Sequence, residues 1–304
     1  MLASRLGPLA GRLALLVALL ACSPAGAQDA AGMRARHAAA QTRLADNPFQ
    51  RPLYLNSEQS AGRIEGEIYA ELDRTYEGLR SALQGIGNWC EILILHLNVK
   101  ACAAVGPAGN QRLRLFVGSK SYQELADAYR FDFQYQLAAS DRDYLRVVLN
   151  APDGPLGTRD YRITLEASRL DAGRSFLHLS YSYGHGLAAR LASETYLATK
   201  GRGKRGFSIV GQDGAGEPEY VGGLRGVIER NTMRYYLAVD AYLAALSLPF
   251  AQRTERRLGL WHQSVERYPL QLHELDLLPY LDMKHREIRR QGTLGAAGAR
   301  ASGR

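Results

Sequence analysis

Cysteine is scarce in this chain, and after the first thirty residues there is no long apolar run. Three cysteines in 304 residues leave too few thiols for a clustered metal framework. No segment beyond residue 27 reaches the ~20 consecutive apolar residues that a membrane-spanning helix needs. No nucleophile elbow, Walker loop, H-E-x-x-H pair or dinucleotide fingerprint occurs. That removes the sequence-readable routes to hydrolase, nucleotide-dependent, zinc-protease and nicotinamide chemistry. His262, His273 and His285 are spaced by eleven and twelve positions, which fits no compact helical metal motif. Asp141 and Asp143 form a turn pair without the spacing of a calcium loop. No metal and no cofactor are expected, and no internal repeat is present. Phenylalanine is outnumbered by tyrosine, 7 against 17.

What is present starts at the N-terminus. Arg5 and Arg12 precede the nine-residue apolar run from Leu13 to Ala21, and Ala25-Gly26-Ala27 offers a small-residue cleavage site. This three-part pattern predicts a secretory signal peptide over 1–27, cut after Ala27. Leu19-Leu20-Ala21-Cys22 is an imperfect lipobox, so acylation at Cys22 is the competing outcome. The protein is expected in the periplasm or outside the cell. Losing Arg5 and Arg12 with the signal lowers the formal net charge of +8 by two. A basic surface suits anionic lipid or nucleic acid, and export argues against nucleic acid.

Export also bears on Cys90 and Cys102, twelve positions apart in N-W-C-E-I-L-I-L-H-L-N-V-K-A-C. Metal ligands, a redox pair, a clip and two separate buried thiols are the alternatives. His96 alone does not complete a zinc site, and a redox pair favours C-x-x-C. Cysteines in an oxidising space pair, so a Cys90–Cys102 disulfide is predicted.

Along the chain, 28–62 reads as a weakly helical or disordered lead-in, with Pro48 and Pro52 marking an extended segment. From Arg63 the apolar residues alternate: Ile64, Gly66, Ile68, Ala70 and Leu72 share one face, the signature of a half-buried strand. Thr75 then caps a helix carrying Tyr76, Leu79 and Leu83, Gly85 and Gly87 break it, and a second short helix carries Trp89, Cys90, Ile92 and Leu93. Six strands follow, at Leu97–Val105, Arg112–Ser119, Tyr129–Leu137, Tyr144–Asn150, Tyr161–Ser168 and Ser175–Tyr183. The pattern turns helical from Leu187 to Lys200, and Phe207–Val210 is a further short strand. G-R-G-K-R-G between them is a basic loop. Leu224, Ile228, Asn231, Tyr235, Ala238, Tyr242 and Leu246 keep the three-four spacing of one long helix, ended by Pro249. The last fifty residues read as a separate piece: amphipathic helices over 249–291, then a disordered tail over 292–304.

Strand, two helices, six strands and a long helix is an order that resembles the START-like, or helix-grip, superfamily, which includes polyketide cyclases and lipid-transfer START domains. The resemblance covers about Arg63 to Leu248 and rests on order and spacing. The blocks W-C-E-I-L-I-L-H-L-N-V-K-A-C and V-I-E-R-N-T-M-R-Y-Y-L-A-V-D-A-Y-L also resemble those of exported bacterial proteins of unassigned function. Two features depart from the family: the helix Leu187–Lys200 and the tail beyond Pro249. The resemblance implies an α+β fold in which a curved antiparallel sheet of about seven strands wraps a long C-terminal helix, with extra C-terminal helices.

Such a fold implies a pocket between sheet and helix. By parity its lining includes Phe131, Phe133, Tyr135, Tyr161, Ile163, Leu179, Tyr181 and Tyr183 from the strands. The helix adds Ile228, Asn231, Tyr235 and Tyr242. That lining suits a sterol, fatty acid, isoprenoid or aromatic molecule, although the same side chains also suit a filled core. His178 has the opposite parity and is expected to face outward. His185 in G-H-G is the one acid–base candidate, and the pattern equally fits a surface histidine. Three functions stay open. The first is binding, transfer or sequestration of a lipid-like ligand, with the tail contacting an anionic membrane or a partner protein. The second is a cyclase- or hydrolase-like enzyme using His185 and Tyr181, and the third is an interaction protein with a filled core.

Overall fold

The computed structural model describes residues 29–107, 109–186 and 203–301, the stretch 293–301 as backbone. The expected signal peptide with its cleavage site, Cys22 and the expected helix Leu187–Lys200 lie outside the described residues. The chain opens with helix α1 (Ala30–Ala45), then strands β1 (Leu53–Ser60) and β2 (Arg63–Leu72). Two short helices, α2 (Tyr76–Leu83) and α3 (Ile86–Leu93), lead into β3 (Val99–Val105) and β4 (Arg112–Val117). Then come β5 (Tyr129–Ser140), β6 (Tyr144–Asp153), β7 (Arg159–Arg169) and β8 (Ser175–Gly184). A hairpin of β9 (Ile209–Gln212) and β10 (Pro218–Tyr220) precedes the long helix α4 (Gly223–Ala245). Helices α5 (Phe250–Val265), α6 (Pro269–Leu272) and α7 (Leu277–Ala301) follow.

Eight strands form one antiparallel sheet in the order β1-β2-β8-β7-β6-β5-β4-β3. Helices α2 and α3 carry the chain from β2 to the far edge, and the remaining strands return one by one until β8 closes on β2. Helix α4 lies across β1, β2 and β8 on the inner face. This is the α+β, helix-grip arrangement that the element order implied, with one strand more than expected.

The close fit of helix and sheet depends on Gly66. A Cβ there would stand 2.5 Å from Thr232 Oγ1 and 3.3 Å from Ile228 Cγ1. Thr75 caps α2 as its residue type predicts, its side chain accepting the Gly78 N–H at 3.2 Å. Trp89 donates its indole N–H to the Leu83 carbonyl at 2.9 Å and locks the α2–α3 corner. Cys90 and Cys102 form the predicted disulfide, with Cα atoms 5.2 Å apart, tying α3 to β3.

Four expectations are corrected. Residues 28–62 are not a loose lead-in: α1 and β1 occupy most of the segment. Strand β1 holds only two inward apolar residues, Leu53 and Leu55, before Ser57, so alternation alone did not reveal it; β2 supplies its register through a two-residue turn at Ala61-Gly62, with Gly62 at φ +89°. Gly87 lies inside α3 rather than ending a helix. The C-terminal helices are not a separate piece. Trp261 of α5 stacks on Tyr280 of α7 at 5.0 Å and donates to the Arg234 carbonyl at 3.2 Å. Helix α7 covers the open edge of β3, where Lys100 and Lys284, both fully buried, share Glu287 at 3.0 and 2.7 Å. Buried charges persist only when paired, and the triad therefore makes α7 part of the fold. Helix α7 also continues to Ala301, where a disordered tail was expected from 292.

Helix α1 packs on the outer face of the sheet. Met33, Ala40 and Leu44 form a second, smaller core with Tyr144 and Phe176. Every residue of β8 is consequently buried, on both faces.

Candidate functional site

The inner face carries a continuous row of aromatic rings. Phe133 stacks on Phe131 at 5.5 Å, and Phe131 meets Tyr161 edge-on at 5.0 Å. Tyr161 stacks on Tyr183 at 5.0 Å, and Tyr183 neighbours Tyr181 at 5.8 Å. Tyr181 meets Tyr235 of α4 edge-on at 5.3 Å, and Tyr235 touches the His96 ring at 4.9 Å. The alternation of β5, β7 and β8 aims these side chains inward. Tyr161, Tyr181 and Tyr183 keep 7–8% exposure, whereas Leu145 and Leu165 beside them have none.

The polar tips along the row divide into two sets. Tyr161 donates its hydroxyl to Thr158 Oγ1 at 2.8 Å. Among the described residues, no hydrogen-bond partner meets the hydroxyls of Tyr181, Tyr183 and Tyr235. Burial pushes the Tyr161 hydroxyl up to about 12 and lifts those of Tyr181, Tyr183 and Tyr235 higher still, so all four stay neutral donors. His96 belongs to this set, and the sequence reading weighed it only as a zinc ligand. The Asn98 backbone N–H donates to His96 Nδ1 at 3.1 Å, which leaves the proton on Nε2. That Nε2 is buried and has no partner among the described residues. Burial first, then the charges of Arg234, Lys284, Lys120 and Lys100, hold the His96 pKa well below its ordinary value.

The expected lining thus separates. Phe131, Phe133, Tyr161, Tyr181, Tyr183 and Tyr235 form the row. Ile163 and Leu179 are aliphatic core beside it, and Ile228 faces Gly66. Asn231 is half-buried, one turn before Tyr235. Tyr135 leaves the row, donating its hydroxyl to the Gln84 carbonyl at 2.5 Å. Tyr242 is buried towards α3 and α5, where Glu91 and Arg257 act on it. His185 is buried at the end of β8, its backbone N–H bonded to the Gly62 carbonyl at 2.8 Å. Among the described residues its Nε2 has no hydrogen-bond partner. On α4, Glu229 accepts bonds from Ser57, Ser208 and the Phe207 N–H at 2.6–2.9 Å, so it fastens β1 and the β9 segment to the helix. Among the described residues no three His, Cys, Asp or Glu side chains converge as a metal site.

The outer face holds a polar cluster that sequence reasoning missed. His178 has the outward parity expected of it, yet α1 buries it. Its Nδ1 lies 2.9 Å from Glu166 and its Nε2 3.0 Å from Glu67. Arg36 of α1 donates to Glu166 at 2.7 Å, and Tyr144 donates to the other oxygen at 2.5 Å. Tyr69 stacks on the imidazole at 4.4 Å. Burial alone would raise the Glu166 pKa, but the bonds from His178 and Tyr144 and the Arg36 charge bring it down to about 2. Burial alone would lower the His178 pKa, but the two carboxylates raise it. The signal was an aromatic and acidic outer face on β2, β7 and β8, which a solvated face does not require.

Comparison with known proteins adds little. No family model and no curated protein match the sequence. Among solved structures, norcoclaurine synthase from Thalictrum flavum has a TM-score of 0.32 and 13% identity, over 49% of this chain and 79% of that one. A conserved protein of unknown function from Enterococcus faecalis has a TM-score of 0.32 and 6% identity, over 79% of this chain and 91% of that one. A conserved protein from Geobacillus kaustophilus has a TM-score of 0.31 and 15% identity, over 45% and 85%. Likeness of this degree carries no functional argument.

Proposed function

We propose that this chain is an exported, non-enzymatic carrier that holds a hydrophobic small molecule, such as a lipid, sterol or isoprenoid, against the inner aromatic row. The single observation that supports this reading is the buried Nε2 proton of His96 at the end of the row, which meets no partner among the described residues. An unmet buried polar group costs about 1–3 kcal/mol, and a ligand hydroxyl, carbonyl or carboxylate would remove that cost. The Cys90–Cys102 disulfide is consistent with an oxidising compartment. Leu277 and Leu278, exposed at the start of α7, are the side chains a peripheral membrane or partner contact would use. The cyclase- or hydrolase-like alternative would need His185 and Tyr181 to act together, and neither meets an activating partner among the described residues.

The low exposure of the whole row favours a second reading, a filled core in an interaction protein. Organic extraction and native mass spectrometry of the purified chain separate the two. Carriage predicts a co-purifying apolar molecule, or stoichiometric uptake of one after delipidation. A chain that releases nothing and takes up no apolar probe is the filled-core protein.

A further inference from the structure

We infer that His96, with Tyr235, is the polar anchor of the aromatic row, and that the molecule it recognises is a long hydrophobic carboxylic acid. This deepens the carrier reading and rests on it. His96 is 2% exposed. Its Nδ1 is occupied by the Asn98 N–H, so the imidazole can offer its neighbourhood only one group, the Nε2 proton, and nothing among the described residues takes it. The ring lies against Tyr235, whose hydroxyl is a second unmet donor, and Tyr235 lies against Tyr181, whose hydroxyl is a third. A carboxylate has lone pairs for all three donors, and an apolar body has the tyrosine and phenylalanine rings beyond to lie on.

The surrounding charge favours an acid over a neutral acceptor. Lys120, Lys204 and Arg234 share the single carboxylate of Glu274. Lys100 and Lys284 share that of Glu287, and Lys284 also bonds the His96 carbonyl at 2.8 Å. The charges of Arg234, Lys284, Lys120 and Lys100 all act on the neutral histidine. Burial is the first cause of the lowered His96 pKa, and the four cations that add to it also attract a ligand anion. Length follows from the row, whose ring-to-ring steps of 4.9–5.8 Å from His96 through Tyr235, Tyr181 and Tyr183 to Tyr161 exceed the reach of one small ring.

The test compares oleic acid with methyl oleate on the delipidated full chain by isothermal titration. The wild type is expected to bind the acid at least about tenfold tighter, the size of one charge-assisted hydrogen bond. His96→Phe should bring the ratio to about one, weakening the acid much more than the ester, while His96→Gln, which keeps an N–H donor, should restore part of the preference. Tyr235→Phe, which leaves the packing intact, should lower the ratio about threefold. Equal binding of acid and ester by the wild type would overturn the anchor and leave carriage standing, as would a preference that survives both His96→Phe and Tyr235→Phe. Binding of neither probe would remove the carrier reading and the anchor together.

Discussion

The two faces of the sheet use the same residue types and treat them oppositely. On the outer face, under α1, His178 has a carboxylate at each nitrogen, and Tyr144 and Tyr69 donate to carboxylates. On the inner face, the buried His96 keeps an Nε2 proton that nothing among the described residues accepts. The outer cluster is a closed network, and closed buried networks hold elements together. The inner row is open at His96, and an unmet buried donor is a stability cost that a ligand can relieve. Burial alone therefore does not separate structure from function here; pairing does.

The largest test of this contrast removes the centre of the closed network. Glu166→Ala strands the buried His178 and leaves Arg36 without its partner, and should cost about 3 kcal/mol in urea unfolding. An effect below about 1 kcal/mol would mean that the network does not hold α1. The inner side has its own brace. Reduction of Cys90–Cys102, or Cys90→Ser with Cys102→Ser, should cost about 3 kcal/mol and loosen the α3–β3 region around His96. Amide exchange should show α1 unchanged by it.

A matched pair sharpens the comparison further. Tyr144→Phe removes a bond to a charged carboxylate and should destabilise by about 1.5–3 kcal/mol. Tyr181→Phe removes a hydroxyl with no partner among the described residues and should change stability by less than about 0.5 kcal/mol, or raise it. Equal losses at both sites would erase the distinction between the faces.

The smallest effect is a pH dependence of α1 docking. The His178 pKa is raised above 6.5, so its contribution is complete below that value and fades as pH rises through the raised one. The Glu166 pKa falls from 4.5 to about 2, so its contribution is complete above 4.5 and is lost as pH falls towards 2. Protection of α1 amides should therefore be greatest between pH 4.5 and 6.5, the window in which both are complete. Maximal protection well above pH 6.5 would show that His178 is not the charged member of the network.

Much of the inner face was legible because period-two alternation is a local property. The expected strand at Tyr129–Leu137 is the core of β5, and the expected helix over Leu224–Leu246 is α4 within a residue at either end. The Gly66 column of β2 was legible as a face, but not as the groove that seats Thr232. Strand β1 was hidden because an edge strand that turns Ser57 towards Glu229 shows too little apolar alternation. The burial of His178 was hidden because α1 covers it with an alanine-rich face that presents Met33, Ala40 and Leu44 but no sustained stripe. His96 sat in plain view inside I-L-I-L-H-L, yet nothing local says that its Nδ1 would be taken and its Nε2 left.

The amino-acid sequence by itself determined which residues share a face, where the long helix lies and which cysteines pair. Those follow from side-chain periodicity and thiol count, which the chain carries residue by residue. Only the tertiary structure decided which buried polar groups found partners. A hydrogen bond between His178 and Glu67, or its absence at His96, depends on residues far apart in the chain meeting within about 3 Å.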